Sequence, residues 1–399
     1  MLRRKTRQEI YIKKRERIAM KCFLSHFSAL ECLRTIDVNN AARTRAMPSK
    51  RSKVQAKEFA SLNLKKYGVD FNPVHMLVAS PKERCRSKKI YCHVLNSRVP
   101  SGSFLYVDRN VYVSVPELCF VQIAGFTDVL KLIVLGYELC GYYGIKNEFS
   151  NPNQKYGVSS PSFLDESKED LSDYCAQISM NQSFVQRQSK NTDTALISKQ
   201  NQDVVPMQIQ PKSLIRRSPI TRVSDILKYL EQFNGMRGVK RARQALRFVV
   251  DGSASPMETF LVMMLCLPSS LGGYGLPFPK MNALFKTEKV DVSHFQHRSC
   301  DLFWPEFSLA VEYDSDAFHL GKEKHDEDLK RLTTLGLMNL RVESLSRAQV
   351  LDAREFDRVV CLIAKHMGKR LRFSGSDYMM RRYRLRRDLY KIMFGNHYI

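Results

Sequence analysis

A long polar stretch separates two parts of this chain that are richer in apolar residues, and a stretch of this length allows the two parts to fold independently or together. Residues 147–213 are rich in Asn, Gln, Ser and Lys and contain few apolar side chains. Such a stretch cannot bury enough apolar surface to offset the conformational entropy that is lost on folding. We therefore expect a flexible polar linker over residues 147–213. The total length of 399 residues suits two or three domains.

The charge balance of the chain is strongly basic. It has 64 Lys and Arg residues against 40 Asp and Glu residues, a formal net charge of +24. A chain this basic attracts polyanions, and nucleic acid is the commonest polyanion in a cell. Anionic membranes and acidic proteins would also be attracted, so charge alone leaves the partner open. Basic residues concentrate at both ends, where we expect a partly helical arm (1–66) and a basic helix or tail (369–399).

Two observations favour a cytoplasmic protein without a membrane segment. No apolar run approaches the roughly 18 residues that a membrane span needs. Lys21 and His26 interrupt the apolar stretch near the N-terminus, which argues against a signal peptide.

The ten cysteines are scattered, form no Cys-x-x-Cys pair and mostly adjoin apolar residues. We expect them to be buried thiols in a reducing compartment, and neither a disulfide framework nor a zinc site.

Residues 67–146 have the composition of a small α+β domain. Runs that favour β-structure cover residues 76–78, 90–94, 104–107 and 111–113, and the last two flank a turn-forming spacer, which predicts a hairpin. A helix is expected to open at Pro116. A second helix is expected from Thr127 to Leu135, with Gly136 ending it.

The most informative chemistry lies in two short apolar segments, residues 299–305 and 309–314. Each is predicted to be a strand of a hairpin that turns at residues 305–308, and each carries a carboxylate, Asp301 or Glu312. A carboxylate inside an apolar strand is costly unless it is paired, hydrogen-bonded or bound to a metal. Two carboxylates on neighbouring strands can converge on one hard cation, Mg²⁺ or Mn²⁺. Such a metal can activate water and neutralise charge on a scissile phosphate.

The segments around this hairpin complete a regular order of elements. Ser255, Pro256 and Glu258 predict a capped helix start before the hairpin. After it, residues 321–335 have a helical pattern that places His325, Asp328 and Arg331 near one face. A strand is expected at residues 340–343 and a closing helix at residues 355–367. The predicted order is therefore helix, three strands, helix, strand.

This segment resembles the PD-(D/E)xK nuclease superfamily, and more narrowly the Vsr-like endonuclease-fold domains of bacterial proteins. The motifs that carry the resemblance are Ser-Pro-Met-Glu258, Asp301-Leu-Phe-Trp-Pro305, Val-Glu312-Tyr-Asp314, His319, Asp328, Arg331, Gly336 and Arg341. The resemblance covers roughly residues 235–367, within a predicted domain at residues 214–368. It implies an α/β fold with a restriction-endonuclease-like α-β-β-β-α-β core.

The resemblance also implies roles for individual residues. Asp301 matches the first metal-binding aspartate and Glu312 matches the acidic residue of the second motif. Glu258 matches the helix glutamate that assists through a metal-bound water. Asp314 and His319 match acidic and histidine positions after the central strand, so the implied catalytic residues are Asp301, Glu312, Asp314, His319 and Glu258.

Two positions depart from the family pattern. Asp314 stands where the family usually has a lysine, and Ser315 stands where a glycine is common. We expect His319 or Lys322 to replace the lysine as general acid or phosphate contact. If neither does, the domain binds DNA without cutting it.

Basic residues in two segments are candidates for contacts with the DNA backbone. They are Lys322, Lys324, His325, Arg331, Arg381, Arg382, Arg384, Arg386 and Arg387. The alternative for these residues is a solvated helix surface.

The N-terminal half resembles AbiEi-type antitoxin-like regulators of bacteria, through the segments at residues 115–122 and 135–141. In such proteins a DNA-interacting region often precedes a Vsr-like domain. The resemblance implies a cognate toxin as partner and no catalytic residue.

Three hypotheses for function follow. The leading one is a bacterial or phage-derived, Mg²⁺-dependent DNA endonuclease, tied to a toxin–antitoxin or phage-defence system. The second is a non-catalytic, DNA-binding regulator of antitoxin type on a degenerate nuclease fold, and the third is a protein–protein adaptor with basic arms. A purely structural alternative also stands, in which Arg341 or Lys289 neutralises Asp301 and Glu312 and Glu258 only caps its helix.

Overall fold

The computed structural model of the chain describes residues 21–49, 59, 62–70, 73–95, 98–145, 214–233, 235–285, 298–314, 340–371 and 376–395. The predicted linker at residues 147–213 and the predicted helix at residues 321–335 lie outside this part. The fold is mixed α/β, and its two larger sheets each combine parallel and antiparallel strands.

The first sheet is built from residues before the predicted linker. Its strands are β1 (Cys22–Leu24), β2 (Arg43–Thr44), β3 (Val74–Val78), β4 (Ile90–Val94), β5 (Phe104–Asp108) and β6 (Val111–Ser114). Their order in the sheet is β2-β5-β6-β1-β3-β4. The predicted hairpin is confirmed as β5 and β6, with Asn110 at φ 66° in the turn. Because β1 lies between β6 and β3, distant parts of the chain become neighbours.

Three helices accompany this sheet: α1 (His26–Thr35), α2 (Pro116–Ala124) and α3 (Val129–Cys140). Helix α1 packs against β3, β6 and α2. The prediction that Gly136 ends the second helix is wrong, because α3 continues to Cys140. A Cβ atom at position 136 would lie 2.8 Å from Cγ2 of Val249, so the glycine permits close packing instead.

Elements on the two sides of the predicted linker contact each other. Strand β7 (Tyr143–Ile145) pairs antiparallel with β8 (Leu214–Arg216). Helices α4 (Val223–Glu231) and α5 (Val239–Leu246) follow, and α5 packs against α3.

Within the part that precedes the linker, a buried ion pair joins α1 to α3, with Nη2 of Arg34 2.6 Å from Oε2 of Glu138.

The second sheet follows helix α6 (Pro256–Cys266). Its strands are β9 (Lys280–Phe285), β10 (Arg298–Trp304), β11 (Leu309–Asp314) and β12 (Arg341–Ser346). Strands β9, β10 and β11 form an antiparallel meander, and β12 adds to β11 in parallel. Oγ of Ser255 accepts a hydrogen bond of 3.1 Å from the amide of Glu258, which confirms the predicted cap of α6.

The C-terminal helices are α7 (Arg347–Leu351), α8 (Ala353–His366) and α9 (Ser376–Phe394). Helix α8 confirms the predicted closing helix and buries Phe356, Val360 and Ile363. Trp304 is fully buried and donates from Nε1 to the carbonyl oxygen of Pro277 at 2.7 Å. Within the described residues, no helix combines the length and apolar character needed to cross a membrane.

Candidate functional site

The predicted acidic residues lie on the second sheet, at its central strands. Strand β10 pairs Leu302 with Val311 and Phe303 with Ala310, and the same register continued by one residue sets Asp301 opposite Glu312. Directly opposed residues of an antiparallel pair project from the same face. The amide of Tyr313 also donates to Oδ2 of Asp301 at 2.8 Å, which fixes this carboxylate against β11.

This row extends to both edges of the sheet. On one side, Asn282 lies between the pairs Cys300–Ala283 and Leu302–Met281, and so opposite Asp301. On the other side, Glu312 pairs with Ser344 of β12. Four polar side chains from four strands therefore form one row, with the two carboxylates at its centre.

Glu258 joins the row from the first turn of α6. Its Oε2 accepts hydrogen bonds from Nδ2 of Asn282 at 2.6 Å and from the amide of Ala254 at 2.8 Å. Burial raises the pKa of Glu258 to about 7, and the nearby charge of Asp301 adds to the shift. A carboxyl group with this pKa can hold or release a proton near neutral pH.

Asp314 lies two residues after Glu312 and therefore shares its side of β11 at the end of the strand. The other predicted residues of this region, His319, Lys322, Lys324, His325, Asp328 and Arg331, lie outside the described residues, as does Lys289. Arg341, the other residue of the structural alternative, forms an ion pair of 2.8 Å with Glu343 on its own strand.

The spacing of the acidic groups suits two direct ligands rather than three. In the part of the chain that the structure describes, only His26, His75 and His93 bring three potential ligand atoms within 4.8 Å of one another. Mg²⁺ keeps several waters and is commonly held by one or two carboxylates. Asp301 and Glu312, opposed on neighbouring strands, fit that requirement.

The predicted DNA-binding arginines of α9 divide into two groups. Arg382 is 6% exposed, pairs with Oδ1 of Asp357 at 2.6 Å and lies over the rings of Tyr274 and Tyr378. Arg386 donates to the carbonyl oxygens of Val350 and Leu351.

A third arginine, Arg381, donates from Nε to the carbonyl oxygen of Ser269 at 3.2 Å. The contacts of these three arginines hold the helix against the rest of the domain. Arg384 and Arg387 are partly exposed on the same helix.

A histidine cluster in the first sheet was not predicted from the sequence. It consists of His26, His75 and His93, and their spacing along the chain matches no metal-binding motif. The three histidines come together because β1 pairs with β3 and β3 pairs with β4, and these pairings join segments that are distant in sequence.

Comparisons with protein-family models, curated proteins and solved structures found no match to this chain.

Proposed function

We propose that this protein is a metal-dependent DNA endonuclease whose acidic site is formed by Asp301, Glu312 and Glu258. The observation that carries the proposal is the row of Asn282, Asp301 and Glu312 across three strands, with Glu258 bonded to Asn282. The order α6, β9, β10, β11 and β12 agrees with the resemblance to Vsr-like domains of the PD-(D/E)xK superfamily.

The electrostatics of the site support a bound cation. Asp301 raises the pKa of Glu258, so the two carboxyl groups are close enough to repel when both are ionised. A divalent cation would relieve this repulsion and would make ionised Glu258 more favourable. The donors are oxygen atoms, which Mg²⁺ and Mn²⁺ prefer.

Each residue then has a distinct task. Asp301 and Glu312 would hold the cation, and the amide of Tyr313 keeps Asp301 in place. When bound, the cation supplies charge neutralisation at the phosphate and acidifies a water molecule. Glu258 takes up or releases a proton near neutral pH, which suits a general base for that water.

The basic charge supports DNA as the substrate. The chain carries a net charge of +24, and Arg384 and Arg387 of α9 are partly exposed. Such groups neutralise phosphates and release counterions, which favours binding to a duplex of any sequence.

A second candidate function rests on Asp314. This residue stands two positions after Glu312, where the nucleases that the domain resembles usually have a lysine. With a carboxylate there, the chain could bind DNA without cutting it, as a regulator of the antitoxin type that its N-terminal half resembles.

Cleavage of supercoiled plasmid by the purified full chain separates these functions. The assay uses Mg²⁺, Mn²⁺ or EDTA and compares the wild type with Asp301→Ala, Glu312→Ala and Glu306→Ala. Glu306 is an exposed carboxylate in the turn of the same hairpin and serves as the matched control. We expect metal-dependent nicking by the wild type and by Glu306→Ala, and a loss of about 100-fold or more in the other two variants.

The affinity for DNA, measured in EDTA, should be nearly equal in all four proteins. Undiminished nicking by Asp301→Ala would show that the site is assigned to the wrong residues. Tight DNA binding with no cleavage in any metal would favour the regulator.

A further inference from the structure

Three histidines that are distant in sequence meet at one end of the first sheet. His26 is the first residue of α1, His75 lies in β3 and His93 lies in β4. One potential ligand atom from each lies within 4.8 Å of the other two. Two of the side chains are buried and the third is half-buried.

The closest pair already has nearly the spacing of two ligands on one ion. Nε2 of His93 lies 2.9 Å from Nδ1 of His75. Two nitrogen ligands of a tetrahedral Zn²⁺, each about 2.0–2.1 Å from the ion, lie about 3.3 Å apart. This distance is that of a hydrogen bond, so one ion could bind both nitrogens only after the rings separate slightly and the shared proton moves to the other nitrogen of the donor ring.

The surroundings hold His26 in an unusual conformation. Its φ is 50°, in the left-handed region that a non-glycine residue adopts only when its surroundings enforce it. The amide of His26 donates to Oε1 of Gln122 at 3.0 Å, and its carbonyl oxygen accepts from Sγ of Cys119 at 3.3 Å. These contacts from α2 fix the backbone so that the ring is directed to the other two histidines.

A hydrogen bond also orients the ring of His26. Oγ of Ser25 lies 3.0 Å from Nδ1 of this ring. When Nδ1 donates to the serine, the lone pair is on Nε2, which is then the atom able to bind a metal. Ligating histidines commonly have such a partner on the other ring nitrogen.

Burial disfavours the charged form of all three histidines. Burial lowers the pKa of His75 to about 4 and that of His93 to about 3, and it lowers the pKa of His26 as well. Neutral imidazole is the form that binds metals.

We propose that His26, His75 and His93 form a binding site for a transition metal, with Zn²⁺ as the metal that the donors fit best. Three imidazole nitrogens select Zn²⁺ and its neighbours over Mg²⁺ and Ca²⁺, which prefer oxygen. Three protein ligands leave the fourth tetrahedral position for water or a substrate, as in catalytic zinc sites. The site is separate from the acidic row on the second sheet.

Metal binding requires one ring to turn. The rings of His26 and His93 are stacked, with centroids 3.6 Å apart and an angle of 17° between the planes, so their lone pairs run side by side. One ring must tilt before both lone pairs can meet at one ion. Phe126 contacts both rings edge-on, and the exposed ring of Tyr91 contacts His93.

The test is a metal-binding titration of the full chain after removal of metal with EDTA. Zn²⁺ is added to the wild type and to the His75→Asn, His93→Asn, Cys92→Ser and Asp301→Ala variants, and binding is followed by calorimetry. Cys92 is the matched control because it precedes His93 on β4 and is the nearest alternative metal-binding side chain on that strand. Circular dichroism shows that each variant is folded.

We expect one Zn²⁺ per wild-type chain, with binding retained in Cys92→Ser and Asp301→Ala and lost in both histidine variants. Co²⁺ in place of Zn²⁺ should give the visible absorption of a tetrahedral ion. Addition of Zn²⁺ should raise the Tm of the wild type and of the two variants that retain binding, but not that of the histidine variants. Equal Zn²⁺ binding by the wild type and the histidine variants, or no binding by the wild type, would overturn the proposal. Retention in Asp301→Ala would show that the result does not depend on the proposed nuclease site.

Discussion

At the scale of single residues, Glu258 is the most informative side chain of the acidic site. Its amide donates to Oγ of Ser255, the capping residue of α6, and its carboxylate accepts a hydrogen bond from Asn282 of β9. The sequence left open whether this residue is a helix cap or part of a site, and the structure gives it both sets of contacts. Its pKa of about 7 distinguishes it from an ordinary capping residue, whose carboxyl stays ionised at neutral pH.

The raised pKa of Glu258 predicts how stability depends on pH. In the native state its carboxyl keeps its proton up to about pH 7, whereas the unfolded chain releases it near the ordinary glutamate pKa of 4.5. The native state therefore loses stability as pH rises between these values, by about 3 kcal/mol in total. Glu258→Gln cannot ionise and should not show this loss.

Urea unfolding in EDTA at several pH values between 4.5 and 7.5 measures the difference between the two proteins. Asp301→Asn should shift the loss to lower pH, because it removes a charge that raises the pKa of Glu258. A stability difference between wild type and Glu258→Gln that stays constant over this range would contradict the pKa shift.

At the scale of elements, local sequence patterns were sufficient to predict strands and turns. They did not predict which distant segments contact each other. The hairpin of β10 and β11 could be predicted, because two short apolar runs flank a turn that begins at Pro305. The role of Gly136 could not be predicted, because the side chain that requires a glycine there is Val249, which follows α5 and is distant in sequence. The histidine cluster could not be predicted either, since it depends on how β1, β3 and β4 are ordered in the sheet.

Helix α9 shows the same limit for charged residues. The sequence predicted a basic surface, but Arg382 is buried because Asp357, Tyr274 and Tyr378 surround it. A run of basic residues in the sequence does not indicate which of their side chains face the protein. Position in the folded helix therefore separates arginines that stabilise the domain from those that remain candidates for DNA contact.

Two substitutions on α9 test this division. Arg382→Met leaves Asp357 without its guanidinium partner and should lower the free energy of unfolding by about 3 kcal/mol. Arg387→Met removes a half-exposed pair with Asp388 and should change stability by less than about 1 kcal/mol. Chemical denaturation measures both changes, and equal destabilisation by the two variants would contradict the assignment.

At the scale of the whole molecule, the two proposed sites differ in chemistry and in place. The acidic row on the second sheet offers oxygen donors, and the histidine cluster on the first sheet offers nitrogen donors. Contacts such as the 2.8 Å hydrogen bond between Oη of Tyr143 and Oγ1 of Thr259 join the segments that carry the two sheets. A variant at one site must therefore be checked for folding before a change at the other is interpreted.

The net charge of +24 predicts how binding to DNA depends on salt. If the basic residues neutralise six or more phosphates, the affinity for a duplex should fall by about 1000-fold between 50 and 200 mM salt, because each neutralised phosphate releases counterions. Fluorescence anisotropy with a labelled duplex, in EDTA to prevent cleavage, measures this dependence.

Two matched variants sharpen the measurement. Arg387→Met should lower the slope of log affinity against log salt by about 1 if this residue contacts a phosphate. Asp301→Ala should leave the slope unchanged, since a metal ligand adds no cationic contact. An affinity that is insensitive to salt would exclude backbone binding, and loss of DNA binding at physiological salt together with capture of an acidic protein would favour the adaptor hypothesis instead.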